Sequence, residues 1–309
     1  MRTALFHRSK HLDENQLSKS LDCCIVCGGS FSPRPASRLQ SAPEVALLRC
    51  RRCNAYSASR MPTESALSDY YSGYFTDFNS LPKVTHDSPE RFARHIASFL
   101  GRPPSHLVIA DFGGGDGTLA YSLARILCRR GTSCADITVI DFAEPRVSDD
   151  KGIAIKSVRP NSGVPQSDII LASAVLEHIP DLISCLKRLF EALKVGGTLY
   201  IRTPAVAGFM QIARIFGVKL DFTFPAHVHD LGQEFWENVL EIVPEGDAFE
   251  ILHSAPSLVE TDFRMHPWHT LAAYLAKAPW RILGRRYTLV GGWEIVFRRK
   301  KESAAEAAD

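Results

Sequence analysis

From residue 105 onward the apolar positions fall into short dense blocks, each followed by an amphipathic stretch. HLVIADF (106–112) is a continuous apolar run that ends in glycines, the pattern of a strand buried on both faces. TLAYSLARILCRRG (118–131) has helical spacing and closes on Gly131. ADITVIDF (135–142) is a second strand, GIAIKSV (152–158) a third and more weakly marked one, and SDIILASAVL (167–176) carries the fourth. DLISCLKRLFEALKVGG (181–197) predicts a helix running into a Gly-Gly turn, and TLYIRTP (198–204) a fifth strand. A mostly helical, aromatic region extends to about residue 245, and FEILHSA (249–255) and GWEIVFRRK (292–300) complete seven strands. Strands alternating with helices imply a parallel sheet wound on both faces. Upstream, SPERFARHIASFL (88–100) predicts a helix with Ser88 as N-cap, Pro89 in the first turn, and Phe92, Ile96 and Leu100 on one face.

The first hundred residues read differently. Residues 1–20 are polar and predict a disordered leader. Residues 21–62 hold five of the eight cysteines among Gly, Pro, Ser and Arg, too little apolar surface for a core of their own. Residues 63–104 form a tyrosine-rich linker and the helix just described; residues 105–301 form the α/β domain, with a lid insertion at about 205–245; residues 302–309 are a frayed tail.

Composition narrows the class. The 309 residues are 45% hydrophobic and 23% charged with a formal net charge of +2, ordinary for a globular chain and too mild to argue for nucleic acid. The basic residues gather late, at Arg281, Arg285, Arg286, Arg298, Arg299, Lys300 and Lys301, which reads as a solvated helix and strand or as a phosphate-facing surface. No apolar run approaches the roughly 18 residues that span a bilayer, and the first residues lack a secretory apolar core. A cytoplasmic protein is expected, so the cysteines need an explanation other than disulfides.

The loop after the first strand is Asp111-Phe112-Gly113-Gly114-Gly115-Asp116-Gly117. A dinucleotide fingerprint, Gly-x-Gly-x-x-Gly, fits Gly113 and Gly115 but meets Thr118 at its third position. The spacing is Asp-x-Gly-x-Gly-x-Gly, which resembles motif I of class I S-adenosylmethionine-dependent methyltransferases. Asp111 suits a cationic amine and sulfonium better than a pyrophosphate. Asp141, ending the second strand, can accept ribose hydroxyls, and Phe142 can lie against adenine. The resemblance continues through Leu176-Glu177-His178-Ile179-Pro180-Asp181, similar to an LEHxxD segment of these enzymes, and through Leu193-Lys194-Val195-Gly196-Gly197-Thr198, similar to the turn before their fifth strand. It implies a doubly wound, Rossmann-like seven-stranded sheet with S-adenosylmethionine bound by Asp111, Gly113, Gly115, Gly117, Asp141 and Phe142. Ser157-Val158-Arg159-Pro160 departs from the family, which often places an acid there for the adenine amine.

Cys24-x-x-Cys27 and Cys50-x-x-Cys53 are two matched pairs separated by 22 residues, a spacing that surrounds Zn²⁺ with four thiolates. Gly28 and Asn54 follow the pairs and tolerate the left-handed backbone of a zinc knuckle. A four-cysteine site leaves no open position, so the metal is expected to be structural. A dithiol redox role lacks its βαβ setting, Cys23 is expected to be spare, and Cys128, Cys134 and Cys185 to be core or partly buried thiols. A zinc ribbon, a tyrosine-rich stretch and a class I domain together resemble a group of bacterial methyltransferases that includes deoxysugar C-methyltransferases and relatives associated with polysaccharides or secondary metabolites. That resemblance implies that Tyr70, Tyr71, Tyr74 and Phe75 help enclose the acceptor.

In the lid, Phe224-Pro225-Ala226-His227-Val228-His229-Asp230-Leu231 falls where the sugar C-methyltransferases carry His-Glu-His; of that run only His227 survives, which removes the acid/base pair for enolate formation. His227 is the first candidate for a general base, His178 the second and His229 the third. The amphipathic HTLAAYLAKAPWRILGRR (269–286) could cover the sheet, form a homodimer face or lie on a membrane. The expected function is methylation of a small-molecule acceptor at oxygen, nitrogen or carbon. RNA methylation with a zinc module, and a non-catalytic zinc-module interaction protein, stand as alternatives.

Overall fold

The structure is a computed structural model that describes residues 11–77, 88–142, 149–150, 152–218, 220–258, 262–264 and 266–301. The chain begins with a small antiparallel meander, β1 (Ser37–Ser41), β2 (Glu44–Arg49) and β3 (Tyr56–Ala58), followed by helices α1 (Glu64–Asp77) and α2 (Pro89–Phe99). The larger domain then runs β4 (His106–Phe112), α3 (Thr118–Cys128), β5 (Cys134–Ile140), β6 (Ile153–Val158), β7 (Ser167–Ser173), α4 (Leu182–Glu191) and β8 (Leu193–Ala205). The lid contributes α5 (Ala207–Ile215), β9 (His229–Asp230) and α6 (Gln233–Asn238), and the chain closes with β10 (Phe249–Pro256), α7 (Pro267–Lys277), α8 (Trp280–Leu283) and β11 (Gly291–Arg299).

The large sheet has the order β10-β11-β8-β7-β4-β5-β6, parallel from β8 to β6, with β11 antiparallel to both of its neighbours. This is the doubly wound, seven-stranded Rossmann-like fold expected. Successive side chains of a strand point to opposite faces, and both faces here are apolar. Leu107 and Ile109 of β4, Tyr200 of β8 and Val296 of β11 pack against Phe92 and Ile96 of α2 and Leu123 and Leu127 of α3. Ala110, Phe112, Leu199, Ile201, Ile295 and Phe297 face the other way, onto Leu186 and Phe190 of α4 and Phe235 and Trp236 of α6. β6 is the weakly patterned strand because it lies at the sheet edge, with only Ile153 buried.

Three boundaries differ from expectation. Ser88 caps α2 as predicted, accepting from Arg91 N, but α4 stops at Glu191 and β8 already starts at Leu193. Leu193 pairs with Ser167 and Thr198 with Ile169, so Lys194–Gly197 is extra chain accommodated within a strand, with Gly196 at φ 76°. Within the expected disordered leader, residues 11–20 are ordered: Leu12 and Leu17 are buried, Leu12 N donates to Gln40 Oε1 at 3.0 Å, and Ser18 N donates to Met61 O at 2.8 Å. Two isolated leucines in a polar stretch find partners only in the tertiary structure, in a core with Val45, Leu47 and Met61. Residues 1–10 and the tail at 302–309 lie outside the described residues.

The cysteine-bearing segment is indeed short of apolar surface, and the lid supplies what is missing. Ala207, Met210, Phe222, Phe224 and Val228 complete the core under β2 and β3. β9 pairs with β3 as the fourth strand of the small sheet, Tyr56 opposite Asp230 and Ser57 opposite His229. The ribbon and the lid are therefore one folded unit, seated at the edge of the large domain's core. Among the described residues no helix is long and apolar enough to cross a membrane.

Candidate active site

The glycine loop sits at the carboxyl end of β4, where an open parallel sheet leaves its ligand crevice. Gly113, Gly115 and Gly117 all have positive φ, at 71°, 56° and 76°. At Gly114 the restriction is spatial: a Cβ there would lie 2.4 Å from Asp111 Cγ. The loop thus folds directly over the Asp111 carboxylate. Asp111 is buried, and its Oδ2 has no hydrogen-bond partner. Burial, reinforced by the negative charge of Asp141, pushes its carboxyl up to about 7. Asp141 follows β5, and its Oδ2 accepts from Gly115 N at 2.9 Å, which ties the second strand's acid to the loop. Phe142 beside it is 55% exposed, with Arg159 donating to its carbonyl at 2.6 Å. The six residues expected at a cofactor site lie together at the carboxyl ends of β4 and β5. A buried orphan carboxylate oxygen asks for a donor or a cation.

A second cluster stands at the end of β7. Ala174 has a positive φ of 56°, and Leu176–His178 form a single 3₁₀ turn. Glu177, His178 and His227 bring a carboxylate oxygen and two ring nitrogens within 4.8 Å of one another. The two imidazoles meet edge to face at 4.8 Å, Tyr71 lies 6.3 Å from His178, and Phe222 lies 5.9 Å from His227. His178 Nδ1 donates to Ala226 O at 2.9 Å, since a carbonyl can only accept, so Nε2 carries the lone pair. Burial lowers the His178 pKa to about 4. Glu177 is buried with Oε2 unpartnered, and burial raises its carboxyl to about 7. Arg202, buried within β8 and donating from Nε to Ser173 Oγ at 3.1 Å, is the cation whose charge opposes that rise.

Glu177 has no role assigned by the LEHxxD pattern alone, and Arg202 lies outside every motif; its signal in the sequence is a lone arginine inside the apolar run of β8. His229, the third candidate base, is corrected by the structure. His229 is fully buried; its Nε2 donates to Pro180 O at 3.3 Å and its Nδ1 accepts from Ser57 Oγ at 2.9 Å. It is a strut between β3 and the loop after β7. Asp230 beside it accepts from Val206 N at 2.5 Å and Ala207 N at 3.1 Å, capping α5. Tyr70 is buried and stands edge to face with Tyr71 at 5.2 Å, whereas the side chains of Tyr74 and Phe75 lie outside the described residues.

The four expected metal ligands converge as well. Cys24 Sγ lies 3.7 Å from Cys53 Sγ, and Cys27 Sγ 3.4 Å from Cys50 Sγ. A tetrahedral site with Zn–S bonds of about 2.3 Å separates its sulfurs by about 3.8 Å. Gly28 and Asn54 have φ of 70° and 61°, as a pair of knuckles requires, and the amides of Arg52 and Cys53 donate to Cys50 Sγ at 3.3 and 3.5 Å. A Cβ on Gly29 would come within 3.1 Å of Cys50 Sγ and 3.2 Å of Cys27 Sγ. The ribbon is held to the lid by Arg49, which reaches Glu234 of α6 at 2.5 Å.

A separate group clamps α2 to the far edge of the sheet. Glu294 accepts from His95 Nε2 at 2.8 Å, His253 Nε2 at 3.2 Å and Tyr200 OH at 2.7 Å. Burial alone would raise its carboxyl, but the hydrogen bonds from the two histidines and the tyrosine outweigh it and hold the group at about 2.

Comparison with known proteins agrees with the glycine crevice. The family described as "Methyltransferase domain" matches residues 84–243. No curated protein matches the sequence. Among solved structures, an S-adenosylmethionine-dependent methyltransferase from Mesorhizobium loti is 17% identical over 69% of this chain and 99% of its own, with a TM-score of 0.45. The YcgJ protein of Bacillus subtilis is 10% identical over 69% of this chain and 99% of its own, at 0.40. The plantazolicin methyltransferase BpumL, solved with a monoazolic analogue and SAH, is 15% identical over 77% of this chain and 89% of its own, at 0.43. Likenesses at this level do not reach an acceptor.

Proposed function

This chain belongs to the methyltransferase-domain family, and on that premise we propose that it transfers a methyl group from S-adenosylmethionine to a small-molecule acceptor held between the end of β7 and the ribbon-bound lid. The observation that carries the reading is the buried, unpartnered Oδ2 of Asp111 beneath the glycine loop, aligned with Asp141 one strand away. Asp111 would face the cationic end of the cofactor, Gly113, Gly115 and Gly117 would let the backbone approach it closely, Asp141 would accept the ribose hydroxyls, and Phe142 would lie against adenine. When bound, S-adenosylmethionine supplies a methyl group already activated by its sulfonium.

The chain's own work is then to position the acceptor, exclude water and take a proton where the acceptor atom carries one. His227 is half-buried beside His178 and Phe222, a place from which its ring can receive that proton. His178 has its Nδ1 proton fixed on Ala226 O and would orient His227 or the acceptor through Nε2. Cys24, Cys27, Cys50 and Cys53 would hold a structural Zn²⁺, whose place is to fix the strand on which the lid is built. Asp141→Ala tests the cofactor half. The loss of charge-assisted hydrogen bonds should weaken S-adenosylhomocysteine binding about 10- to 100-fold in calorimetry. Unchanged affinity in a folded variant would remove Asp141 from the site.

A further inference from the structure

Between β10 and β11 the chain runs for 30 residues, from Phe263 to Gly292, without an aspartate or glutamate. The same stretch carries Arg264, Lys277, Arg281, Arg285 and Arg286, together with His266 and His269. Its two helices are tied to the body along one side, where Arg91 donates to Tyr274 OH, Lys277 Nζ to Ser257 O and Trp280 Nε1 to Gln233 Oε1, while the Trp280 ring meets Trp293 at 5.5 Å. Of the residues of α7 only Thr270 is buried, and a cavity of about 380 Å³ separates Tyr274, Leu275 and Trp280 from His253 and Pro256 at the sheet edge. Large apolar side chains face outward instead: Trp268 is 79% exposed, Leu275 65% and Ile282 88%, with Leu271 and Leu283 beside them. Trp268, Leu271 and Leu275 follow the i, i+3, i+7 spacing of one helix face, and Ile282 and Leu283 continue the stripe in α8.

Single exposed leucines are ordinary, but a stripe of five beside Arg264, Arg281 and Arg286, in a segment without an acid, marks a surface that is covered in use. The charge decides what covers it. A second copy of the chain would bring Arg264, Arg281 and Arg286 against the same residues across a two-fold axis, with no acid from the segment to pair them. Among the described residues the acids nearby have partners of their own: Glu237 pairs with Arg285 at 2.6 Å, Asp262 accepts from Arg264 N, and Glu294 is buried in its histidine clamp. An anionic lipid surface offers phosphates to the arginines and an apolar layer to the stripe, and tryptophan is at home at the boundary between them.

We propose that the α7–α8 insertion is a peripheral membrane-docking element that lies in the plane of an anionic phospholipid surface. Trp268, Leu271, Leu275, Ile282 and Leu283 enter the headgroup–acyl boundary, and Arg264, Arg281 and Arg286 meet lipid phosphates. The inference stands apart from the methyl-transfer reading.

Sedimentation of the full chain with vesicles tests it. The protein should pellet with phosphatidylcholine vesicles that contain phosphatidylserine, stay in solution with phosphatidylcholine alone, and be released by added salt. Trp268→Asp with Ile282→Asp, and separately Arg281→Glu with Arg286→Glu, should each cut binding about tenfold or more while the melting temperature stays in place, because all four side chains are exposed. Equal binding to both vesicle types, or none to either, would overturn the proposal. So would a wild-type dimer in light scattering that the Trp268→Asp, Ile282→Asp variant turns into a monomer without any vesicle binding, which would give the face to a second copy.

Discussion

The glycine crevice and the ribbon–lid joint are built by opposite strategies. The crevice is local: Asp111 to Gly117 is one continuous segment from the end of β4 into its loop, and its partner Asp141 follows the next strand of the sheet. The joint is assembled from chain that is far apart in sequence. Tyr56 pairs with Asp230, Ser57 bonds His229, Arg49 reaches Glu234, and Leu12 shares a core with Met210. The crevice needs positive φ and close approach, which glycine provides by itself. The joint needs a scaffold, because the ribbon has too little apolar surface to fold alone and Met210, Phe222, Phe224 and Val228 of the lid complete its core. On the proposed reading the crevice would serve any reaction of the cofactor, while whatever distinguishes this chain's acceptor is expected to lie at the joint, where the Glu177–His178–His227 cluster meets the lid.

Removal of the zinc proposed for the ribbon should separate the two regions most strongly. Metal analysis of purified protein should give about one zinc per chain, and Cys50→Ser, at a fully buried ligand position, should lower the melting temperature by about 10 °C or more. The residual fold should still bind S-adenosylhomocysteine if the crevice is independent. Loss of both together would mean that the joint also holds the crevice in shape. Next in size is His227→Ala, expected to lower kcat about 10²-fold or more for an oxygen or nitrogen acceptor without changing cofactor affinity. An unaltered kcat with a raised KM would make His227 an acceptor-binding residue and not a base.

The acidity of Asp111 sharpens the comparison from the other side. A carboxyl raised to about 7 is mostly protonated at pH 6 and mostly ionised at pH 8. The ionised form attracts a cationic ligand, so cofactor affinity should rise about tenfold across that interval, and Asp111→Asn should flatten the profile. The sign for stability is the reverse. The folded pKa lies above the unfolded value, so the ligand-free fold has this contribution below the unfolded pKa and loses it as pH rises through about 7. Added cofactor should offset the loss. A flat binding profile in the wild type would dissociate Asp111 from the cofactor's charge.

How much was legible in the sequence follows the same division. The strands of the large sheet announce themselves because burial on both faces makes them continuous apolar runs, and the glycine loop because its backbone tolerates few other residues. The start of β8 at Leu193 was hidden, since Lys194–Gly197 reads as a turn and only pairing with Ser167 shows that a strand has already begun. β9 has two residues and no period to detect. His227 and His229 are two positions apart in one mixed run, Phe224 to Leu231, and nothing in their neighbours tells which is a buried strut; the difference is made by Ser57, 172 residues away from His229. Leu12 and Leu17 were lost in a polar leader for the same reason.

The smallest expected effect tests that strut directly. Ser57→Ala removes the hydroxyl that donates to His229 Nδ1 and leaves a buried acceptor without a donor, while Nε2 keeps its bond to Pro180 O. An unsatisfied buried group of this kind costs about 1–3 kcal/mol, roughly a few degrees in melting temperature for a domain of this size. β3 and β9 retain their backbone pairing, so the ribbon should remain folded and its metal bound. The strut runs to the loop after β7, which carries His178, so a weakened strut should let the acceptor side shift and raise the acceptor KM. Asp111 and Asp141 stand on β4 and at the end of β5, and calorimetry should give an unchanged cofactor affinity. A fall in cofactor affinity as large as the fall in stability would show that the crevice is not independent of the joint, and that the lid positions both ligands through the single turn at Leu176–His178.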